Sequence, residues 1–212
     1  MLHNGGTSVS NKFLSLKKSF NNRNIRFEYF KCKDSLISKV RELIEEASSI
    51  GIGNSKTLKH LNIFEIAKSL NKTVYDKTIA NNSTEKIEIK RNALLADLYI
   101  TSSNAITRDG KIVNVDHSGN RVAAMTFGPK KVLIIVSENK LVENEKEGLK
   151  RALKIATPLN AKRANYSPPC TKNGPCTECT QSQRVCNYLS VIRGQEVNNR
   201  MTVMLLKGSY GF

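Results

Sequence analysis

Four of the five cysteines in this sequence lie close together, in the stretch CTKNGPCTECTQSQRVC. They form a C-x5-C-x2-C-x6-C pattern, which comprises Cys170, Cys176, Cys179 and Cys186. The central C-x2-C pair lets two thiolates approach one ion through a tight turn, and Pro169, Gly174 and Pro175 favour a loop over a helix there. Four thiolates satisfy tetrahedral zinc and, equally, the irons of an iron–sulfur cluster. The pattern therefore predicts a metal centre, zinc or iron–sulfur, on a cysteine-rich loop at 166–187.

Redox-active thiols, structural free cysteines and disulfides are the alternatives for this cluster. The first residues of the chain lack the apolar run of a signal peptide, and no run of about 18 apolar residues occurs later in the sequence. These features predict a cytoplasmic protein with no membrane span, in which thiols stay reduced and disulfides are disfavoured. Cys32 lies between two lysines, far from the cluster, and is interpreted as a lone thiol.

A second candidate site is the stretch GIGNSKTL at 51–58. A strand that ends in glycine and leads through Ser or Thr into a helix can present backbone N–H groups to an anion. Gly51 and Gly53 would allow close approach, while Ser55 and Thr57 supply hydroxyl groups. The stretch lacks both the P-loop and the complete dinucleotide fingerprint. A plain strand-to-helix turn capped by Ser55 is therefore the alternative.

The third candidate site lies at 101–129, where polar residues follow a predicted strand. Ligands of open α/β sheets bind beyond the carboxyl ends of the strands, which places Asn104 well for binding. The run DHSGNR adds a carboxylate, an imidazole and a guanidinium, enough for acid–base chemistry on an anionic substrate. The alternative is a turn in which Asp116 or Ser118 caps a helix that begins near Asn120.

The second and third sites together define the predicted ligand site. The candidate catalytic residues are Asp116, His117 and Arg121. The candidate ligand-binding residues are Gly51, Gly53, Ser55, Thr57, Asn104, Asp116, Asn120 and Arg121.

The chain carries a formal net charge of +16, from 34 Lys and Arg against 18 Asp and Glu. Such an excess favours anionic partners. The basic residues are scattered, without a dense block or a basic stripe interleaved with aromatic residues. This distribution disfavours nucleic acid and predicts a small anionic substrate or a phosphorylated ligand as the partner.

Hydrophobic periodicity predicts alternating strands and helices that must position these residues. Strands are predicted at 25–30, 48–53, 73–76, 97–103, 130–138, 188–193 and 201–208. Helices are predicted at 7–20, 35–47, 54–70, 83–96 and 143–156, with a further one beginning at Pro158. The stretch NAITRDGKIVNVD predicts a hairpin with a type I′ turn at Asp109-Gly110.

The alternation of elements predicts an α/β protein with a largely parallel sheet. The run KKVLIIVSE is typical of a central strand that is buried on both faces. The sequence contains no internal repeat and no linker, so a single domain at 1–212 is predicted, with the cysteine-rich loop as an excursion from it.

The stretch from ADLYITSSNAITRDGKIVNVDHSGNRVAAM to TFGPKKVLIIVSENKLV resembles the core of the LUD-domain family of lactate-utilisation proteins. The likeness continues through PLNAKRAN, PCTKNGPCTECTQSQRVCN and VIR, and it is to short, stand-alone members that carry the four-cysteine loop. The resemblance implies a Rossmann-like, mostly parallel sheet flanked by helices. This fold is similar to that of glucosamine-phosphate deaminase, ribose-phosphate isomerase and CoA transferases.

The resemblance also implies a role as a component of L-lactate oxidation to pyruvate, beside other redox proteins of lactate utilisation. The metal or iron–sulfur centre on the cysteine-rich loop would fit such a role. Two alternatives remain at this point. One is a zinc-stabilised regulatory or nucleic-acid-associated binding protein, and the other is an enzyme similar to sugar-phosphate isomerases or transferases.

Overall fold

Helices and strands alternate along the chain in a computed structural model, which describes residues 6–172, 176, 179 and 182–212. The helices are α1 Gly6–Asn21, α2 Lys33–Glu46, α3 Lys56–His60, α4 Ile63–Ser69, α5 Ser83–Asn92, α6 Asn120–Thr126, α7 Glu145–Arg151 and α8 Thr157–Arg163. The strands are β1 Ile25–Phe30, β2 Ser49–Ile52, β3 Thr73–Tyr75, β4 Leu98–Thr101, β5 Ala105–Thr107, β6 Ile112–Asp116, β7 Lys131–Ser137, β8 Leu141–Val142, β9 Tyr188–Ile192 and β10 Met201–Leu206.

Six of these strands form a parallel sheet in the order β1-β10-β7-β4-β2-β3. Helices cover both of its faces, which explains the nearly continuous apolar run of β7. Successive residues of β7 pack into different hydrophobic clusters on the two faces of the sheet: Ile134 belongs to one cluster and Ile135 to the other. The predicted α/β class and Rossmann-like parallel sheet are confirmed.

The two faces of the sheet bury two separate sets of side chains. On one face, Phe20 of α1 and Met125 of α6 pack in a cluster with Tyr99 of β4. On the other face, α2 supplies residues at helical spacing, such as Leu36 and Val40. Burial on both sides makes β4 and β7 rigid supports for the residues that follow them.

A second, four-stranded sheet has the order β8-β5-β6-β9 and mixes parallel and antiparallel pairs. The sequence predicted β5, β6 and β9, but it predicted neither β8 nor the separation of these strands from the parallel sheet. Apolar runs indicate that a strand exists, whereas its partner depends on the path of the chain. Helix α7 packs closely on this sheet, since a Cβ on Gly148 would lie 2.8 Å from Val113 Cγ2.

The hairpin between β5 and β6 forms where it was predicted, but the predicted type I′ turn is wrong. Only Gly110 has a positive φ, of 84°, whereas type I′ requires positive φ at both central residues. The Gly110 N–H donates to Thr107 O at 3.0 Å, as in a type I turn followed by a left-handed glycine bulge. A Cβ on Gly110 would lie 2.6 Å from Ser19 O, so the turn packs directly against α1.

Two predicted helical regions are organised differently in the structure. The single helix predicted at 54–70 is divided into α3 and α4 by Asn62, which has a left-handed φ of 55°. The helices predicted at 143–156 and from Pro158 are joined by a π-helical turn at Ala152–Ala156. Pro158 has no N–H with which to donate a helical hydrogen bond. The π-helical turn directly before it widens the helix there and accommodates the missing bond.

Candidate functional site

A cleft of about 650 Å³ opens beyond the carboxyl ends of the parallel strands. Its walls come from the loop after β2, the segment after β3, helix α5, the residues after β4 and β6, and the end of α8. The predicted site residues that line it are Gly53, Ser55, Asn104, Asp116, His117, Asn120 and Arg121. The structure thus brings the second and third candidate sites together in one cavity.

Positive charge dominates this cleft. The basic residues that line it are Lys56, Lys77, Lys86, Lys90, Lys140, Arg121 and Arg163. The only carboxylate side chain among the described lining residues is Asp116, whose Oδ2 lies 3.2 Å from Arg121 Nε. A concave, partly desolvated wall concentrates such a field, so the cleft attracts anions of small-molecule size.

Lys140 reaches the cleft from the turn that follows the central strand β7, and it is only 2% exposed. Its Nζ donates hydrogen bonds to Thr57 Oγ1 at 2.8 Å and to Ser102 Oγ at 3.1 Å. Both acceptors are neutral hydroxyl groups, and no salt bridge to Lys140 occurs in the described part of the chain. An ammonium buried without a counter-ion loses hydration that these two bonds only partly replace.

Burial, followed by repulsion from the charges of Arg151 and Arg121, lowers the pKa of Lys140 to about 7. Arg151 is itself 8% exposed, and its Nε donates to Asn139 O at 3.1 Å. Since the ordinary lysine pKa is 10.5, a large fraction of Lys140 is an uncharged amine near neutral pH. An uncharged amine can act as a base or as a nucleophile.

Lys77 also lines the cleft and is half-buried. Its Nζ donates to Asn120 Oδ1 at 3.3 Å. Burial, followed by repulsion from Lys90, lowers the pKa of Lys77 to about 8, although attraction by Asp116 opposes this shift. Two lysines of the same cleft therefore change charge within the range of physiological pH.

Arg121 lies at the start of α6, and protein acceptors occupy all of its N–H groups. Its Nε pairs with Asp116, and one amino group donates to Ser102 O at 3.0 Å and to Asn114 Oδ1 at 2.5 Å. The other donates to Val115 O at 2.7 Å and to Asn104 Oδ1 at 3.3 Å. These bonds favour a positioning role, because a guanidinium has only five N–H donors. The catalytic and ligand-binding roles predicted for Arg121 stay predictions.

Asn104 and Asn120 are positioned by the hairpin and by α6. Asn104 Oδ1 accepts the Val115 N–H at 2.8 Å, and Asn120 Oδ1 accepts the Ser118 hydroxyl at 2.8 Å. Asp116 Oδ1 accepts the Gly119 N–H at 3.2 Å, a bond within the turn that precedes α6. Gly119 is the N-cap of α6 and no described side chain caps this helix, so the predicted alternative of a cap from Asp116 or Ser118 is wrong. The side-chain amides of both asparagines remain in the lining of the cleft.

His117 lies at the mouth of the cleft, with its ring edge-on to Tyr166 at a centroid distance of 4.9 Å. Its backbone oxygen accepts a hydrogen bond from Asn187 Nδ2 at 2.9 Å. Tyr166 and Asn187 are the first and last residues of the predicted cysteine-rich loop. Both ends of that loop therefore contact His117, which lines the cleft. An acid–base role for His117 stays a prediction.

Two predicted ligand-binding residues lie beneath the cleft instead of in its lining. A Cβ on Gly51 would lie 2.6 Å from Tyr99 Cδ2 and 3.0 Å from Ala93 O, so this glycine permits close packing of β2. Thr57 is 1% exposed and donates its hydroxyl to Tyr210 O at 2.9 Å. Thr57 contributes to the cleft indirectly, because its Oγ1 accepts the hydrogen bond that positions Lys140.

Gly53 and Ser55 occupy the turn between β2 and α3, as predicted. A Cβ on Gly53 would lie 2.7 Å from Thr101 Oγ1, so only glycine fits this position without displacement of its neighbour. Ser55 caps α3, with its Oγ accepting the Leu58 N–H at 3.4 Å. The cap predicted as the alternative is therefore present, and Ser55 also lines the cleft.

The predicted metal-binding cysteines are free thiols in a segment described only in part. Gly174 and Pro175, which were expected to shape this loop, lie outside the described residues. Burial raises the pKa of the Cys170 thiol, and Cys186, Cys179 and Cys176 raise it further through charge repulsion. Within 6–172, 176, 179 and 182–212, no three His, Cys, Asp or Glu residues are grouped tightly enough to hold a metal ion.

Sequence reasoning did not identify Lys140, Lys77, Arg151 or Arg163 as site residues. The sequence does contain a pattern that could have identified Lys140 as a site residue, because the polar run ENK directly follows the apolar strand β7. The rule that ligands bind beyond the carboxyl ends of parallel strands selected Asn104 and applies equally to this run. Arg163 carried no comparable signal, since it lies on a helix whose orientation depends on tertiary packing. Its guanidinium donates to Asn54 Oδ1 at 2.9 Å, across the cleft wall.

Comparison with known proteins shows a family for this chain and a similarity to solved structures. A family model described as LUD domain matches residues 15–206. The similar structure is described as the crystal structure of a DUF162 family protein from Deinococcus radiodurans. It is 15% identical to this chain, with 84% of this chain and 99% of that chain covered and a TM-score of 0.31. No curated protein matches this chain.

Helices of sufficient length and apolar character to cross a membrane are absent from the part of the chain that the structure describes.

Proposed function

We propose a function for this chain from the premise that it belongs to the LUD domain family. At the level of the family it is a protein related to lactate utilisation. Within that frame, the cleft binds a small organic anion or a phosphorylated ligand. The observation that carries this proposal is the charge of the lining, in which the described residues supply one carboxylate side chain beside seven lysines and arginines.

The finer proposal is that the chain takes part in the oxidation of L-lactate to pyruvate. Both the substrate and the product of that reaction carry a carboxylate, for which the protonated forms of Lys77 and Lys140 in the cleft lining are cationic partners. Other redox proteins of lactate utilisation would be its partners. Cytoplasmic location, which would suit such partners, stays a prediction.

We also propose that Cys170, Cys176, Cys179 and Cys186 hold a metal ion or an iron–sulfur cluster. The residue types fit either group, because four thiolates complete a tetrahedral zinc site or the cysteine ligation of a cluster. The support for this proposal is the sequence pattern, which places four thiols within seventeen residues. A bound cluster would supply one-electron transfer, whereas zinc would stabilise the fold of the cysteine-rich loop beside the cleft.

The geometry gives less support to the nucleic-acid and isomerase alternatives. Nucleic-acid binding calls for cations spread along a groove that tracks a phosphate backbone, and the cations of this cleft converge on a concave space. An isomerase or transferase function rests on similarity of fold alone. The converging charges therefore favour a small ligand.

Calorimetric titration with anions tests the proposed site. Suitable probes are sulfate, L-lactate, pyruvate and a sugar phosphate, each added to the wild type, Lys77→Gln and Lys140→Met. We expect at least one probe to bind and each variant to weaken it by roughly tenfold or more, since a charge-assisted hydrogen bond contributes about 1.5–3 kcal/mol. Lys39→Gln is the matched control, because Lys39 lies on α2 and pairs with Glu42.

Absence of binding by every probe would contradict the proposed ligand site. Equal affinity in the wild type and in both cleft variants would place any observed binding elsewhere on the surface. Retained affinity in the Lys39→Gln variant, together with a loss in the cleft variants, would assign the binding to this cleft.

A further inference from the structure

Lys140 has an environment that differs from that of the other cleft lysines. It lies in the turn after the central strand β7 and is almost completely buried, and in the described structure its Nζ donates hydrogen bonds to two neutral hydroxyl groups. Lys77, by contrast, is half-buried and experiences the attraction of Asp116. A purely electrostatic anchor for an anion does not need such burial, because burial reduces the charge on which attraction depends.

We infer that Lys140 is a catalytic nucleophile that forms an imine with the carbonyl group of an organic anion bound in the cleft. The ligand class is thus a carboxylate or phosphate ester that also carries a ketone or aldehyde. This inference rests on the proposed anion site and adds to it a covalent step and the residue that performs it.

Hydrogen-bond directions at Lys140 leave its reactive position free. The Thr57 hydroxyl donates its proton to Tyr210 O at 2.9 Å, so Thr57 Oγ1 can only accept from Lys140. Ser102 Oγ accepts a second N–H at 3.1 Å. A neutral amine that donates two hydrogen bonds has one lone pair left. No described protein group accepts from or donates to Nζ at that third position, and Lys140 itself lines the cleft.

The charges around Lys140 favour the reactive, uncharged form. Arg121 approaches from α6 and Arg151 from α7, and both disfavour a third positive charge. The groups from α3 and from the end of β4 are the hydroxyls of Thr57 and Ser102, which carry no charge. With its pKa lowered to about 7, the amine is partly unprotonated at neutral pH without a separate base.

The reaction balances without any additional reagent. The Nζ lone pair attacks the carbonyl carbon, the π pair of the C=O bond moves to oxygen, and a proton passes from nitrogen to that oxygen. The resulting carbinolamine loses water, and the nitrogen lone pair completes the C=N bond. The remaining cations of the cleft, among them Lys77 and Arg163, would retain the carboxylate or phosphate of the ligand during this step.

Reductive trapping tests the inference on the full chain. The protein is incubated with pyruvate or dihydroxyacetone phosphate, reduced with sodium borohydride, digested and examined by mass spectrometry. We expect one dominant secondary-amine adduct, on Lys140, with at least tenfold higher occupancy than on any other lysine. Sulfate in excess should suppress the adduct, because it would compete for the cationic cleft.

Two variants serve as controls for the trapping. Lys140→Met should abolish the dominant adduct, whereas Lys77→Met should retain an adduct on Lys140 at higher probe concentration. At a probe concentration that saturates the site at each pH, the rate of adduct formation on wild-type Lys140 should rise by about tenfold from pH 6 to pH 8, as the amine loses its proton. This pH profile tests the inference even if the Met variant does not fold.

The outcomes separate this inference from the proposed anion site. Calorimetric binding of pyruvate or dihydroxyacetone phosphate in the cleft, without an adduct on Lys140, would overturn the imine and leave the anion site standing. Adducts spread over exposed lysines, insensitive to sulfate, would also overturn it. Failure of every anion to bind would overturn both proposals.

Discussion

Lys140 Nζ lies 2.8 Å from Thr57 Oγ1, and this hydrogen bond joins residues that are 83 positions apart in the chain. It connects the turn after β7 to the first turn of α3, directly beneath the cationic cleft. The Thr57 hydroxyl is held in turn by the Tyr210 backbone oxygen. The position of the ammonium is therefore set by three segments that meet only in the folded protein.

Replacement of this lysine should increase stability at low pH. The folded-state pKa of Lys140 is about 7 and its ordinary value is 10.5, so the folded protein binds fewer protons than the unfolded chain between these values. The penalty for the buried charge is complete below pH 7 and disappears as the pH rises toward 10.5. We expect Lys140→Met to raise the free energy of unfolding by about 2 kcal/mol at pH 6. Urea denaturation at pH 6 and pH 9 measures this, and a gain that does not shrink at pH 9 would contradict it.

Anion affinity should fall as the pH rises above neutrality. Lys140 and Lys77 have pKa values of about 7 and about 8 in the free protein, and both lose charge over this range. A bound anion stabilises the charged forms, so binding takes up protons and weakens by up to about tenfold per pH unit. Sulfate is the suitable probe because its own charge stays constant from pH 6 to pH 9. Lys140→Met should show a smaller slope, and a pH-independent affinity in the wild type would contradict the role of both lysines.

Arg121 should not tolerate replacement by lysine. Its five N–H groups serve Asp116, Asn114, Asn104 and two backbone oxygens, and one ammonium cannot reach all of them. We expect Arg121→Lys to lower the free energy of unfolding by about 3 kcal/mol, since buried acceptors lose their partners. Arg91→Lys is the control, because Arg91 lies exposed on α5 with Glu88 and should change stability by less than about 0.5 kcal/mol. Equal stability of the two variants would show that the Arg121 network contributes little.

Gly51 should be sensitive to a methyl group for reasons of packing. The added Cβ would lie 2.6 Å from the Tyr99 ring, and overpacking of this kind costs about 1–3 kcal/mol. Gly194→Ala is the control, since its nearest neighbour would be Arg23 O at 3.4 Å. We expect Gly51→Ala to destabilise the protein while the folded fraction keeps its sulfate affinity. Lost affinity with unchanged stability would favour the ligand-binding role predicted from the sequence.

Loss of any cysteine of the cluster should remove the proposed metal. We expect Cys170→Ser, Cys176→Ser, Cys179→Ser and Cys186→Ser each to lower metal content, while Cys32→Ser retains it, because Cys32 lies after β1 and apart from the cluster. Iron, zinc and acid-labile sulfide are measured on protein purified without oxygen, together with a visible spectrum. Iron with sulfide would identify a cluster, and zinc without sulfide a structural clamp. Unchanged metal in the four variants, or a metal-free wild type, would contradict the metal proposal.

The sequence alone was sufficient for the class of fold and for much of the cleft lining. Strands such as β7 were identifiable because burial on both faces demands a continuous apolar run. Gly53, Asn104 and Asp116 were identifiable because ligands bind beyond strand ends, and the order of elements along the chain locates those ends. Each of these inferences depends on residues that are neighbours in sequence.

Tertiary structure alone decided the second sheet, the type of hairpin turn and the state of Lys140. The hairpin took a glycine bulge because its turn packs against Ser19 of α1, which no local pattern reveals. Lys140 is buried and hydrogen-bonded to Thr57 and Ser102, and its charge is opposed by Arg121 and Arg151. A side chain's protonation depends on solvent exclusion and on charges within a few ångströms. In this protein those neighbours come from distant parts of the sequence, so the chemistry of the cleft emerges only when the chain has folded.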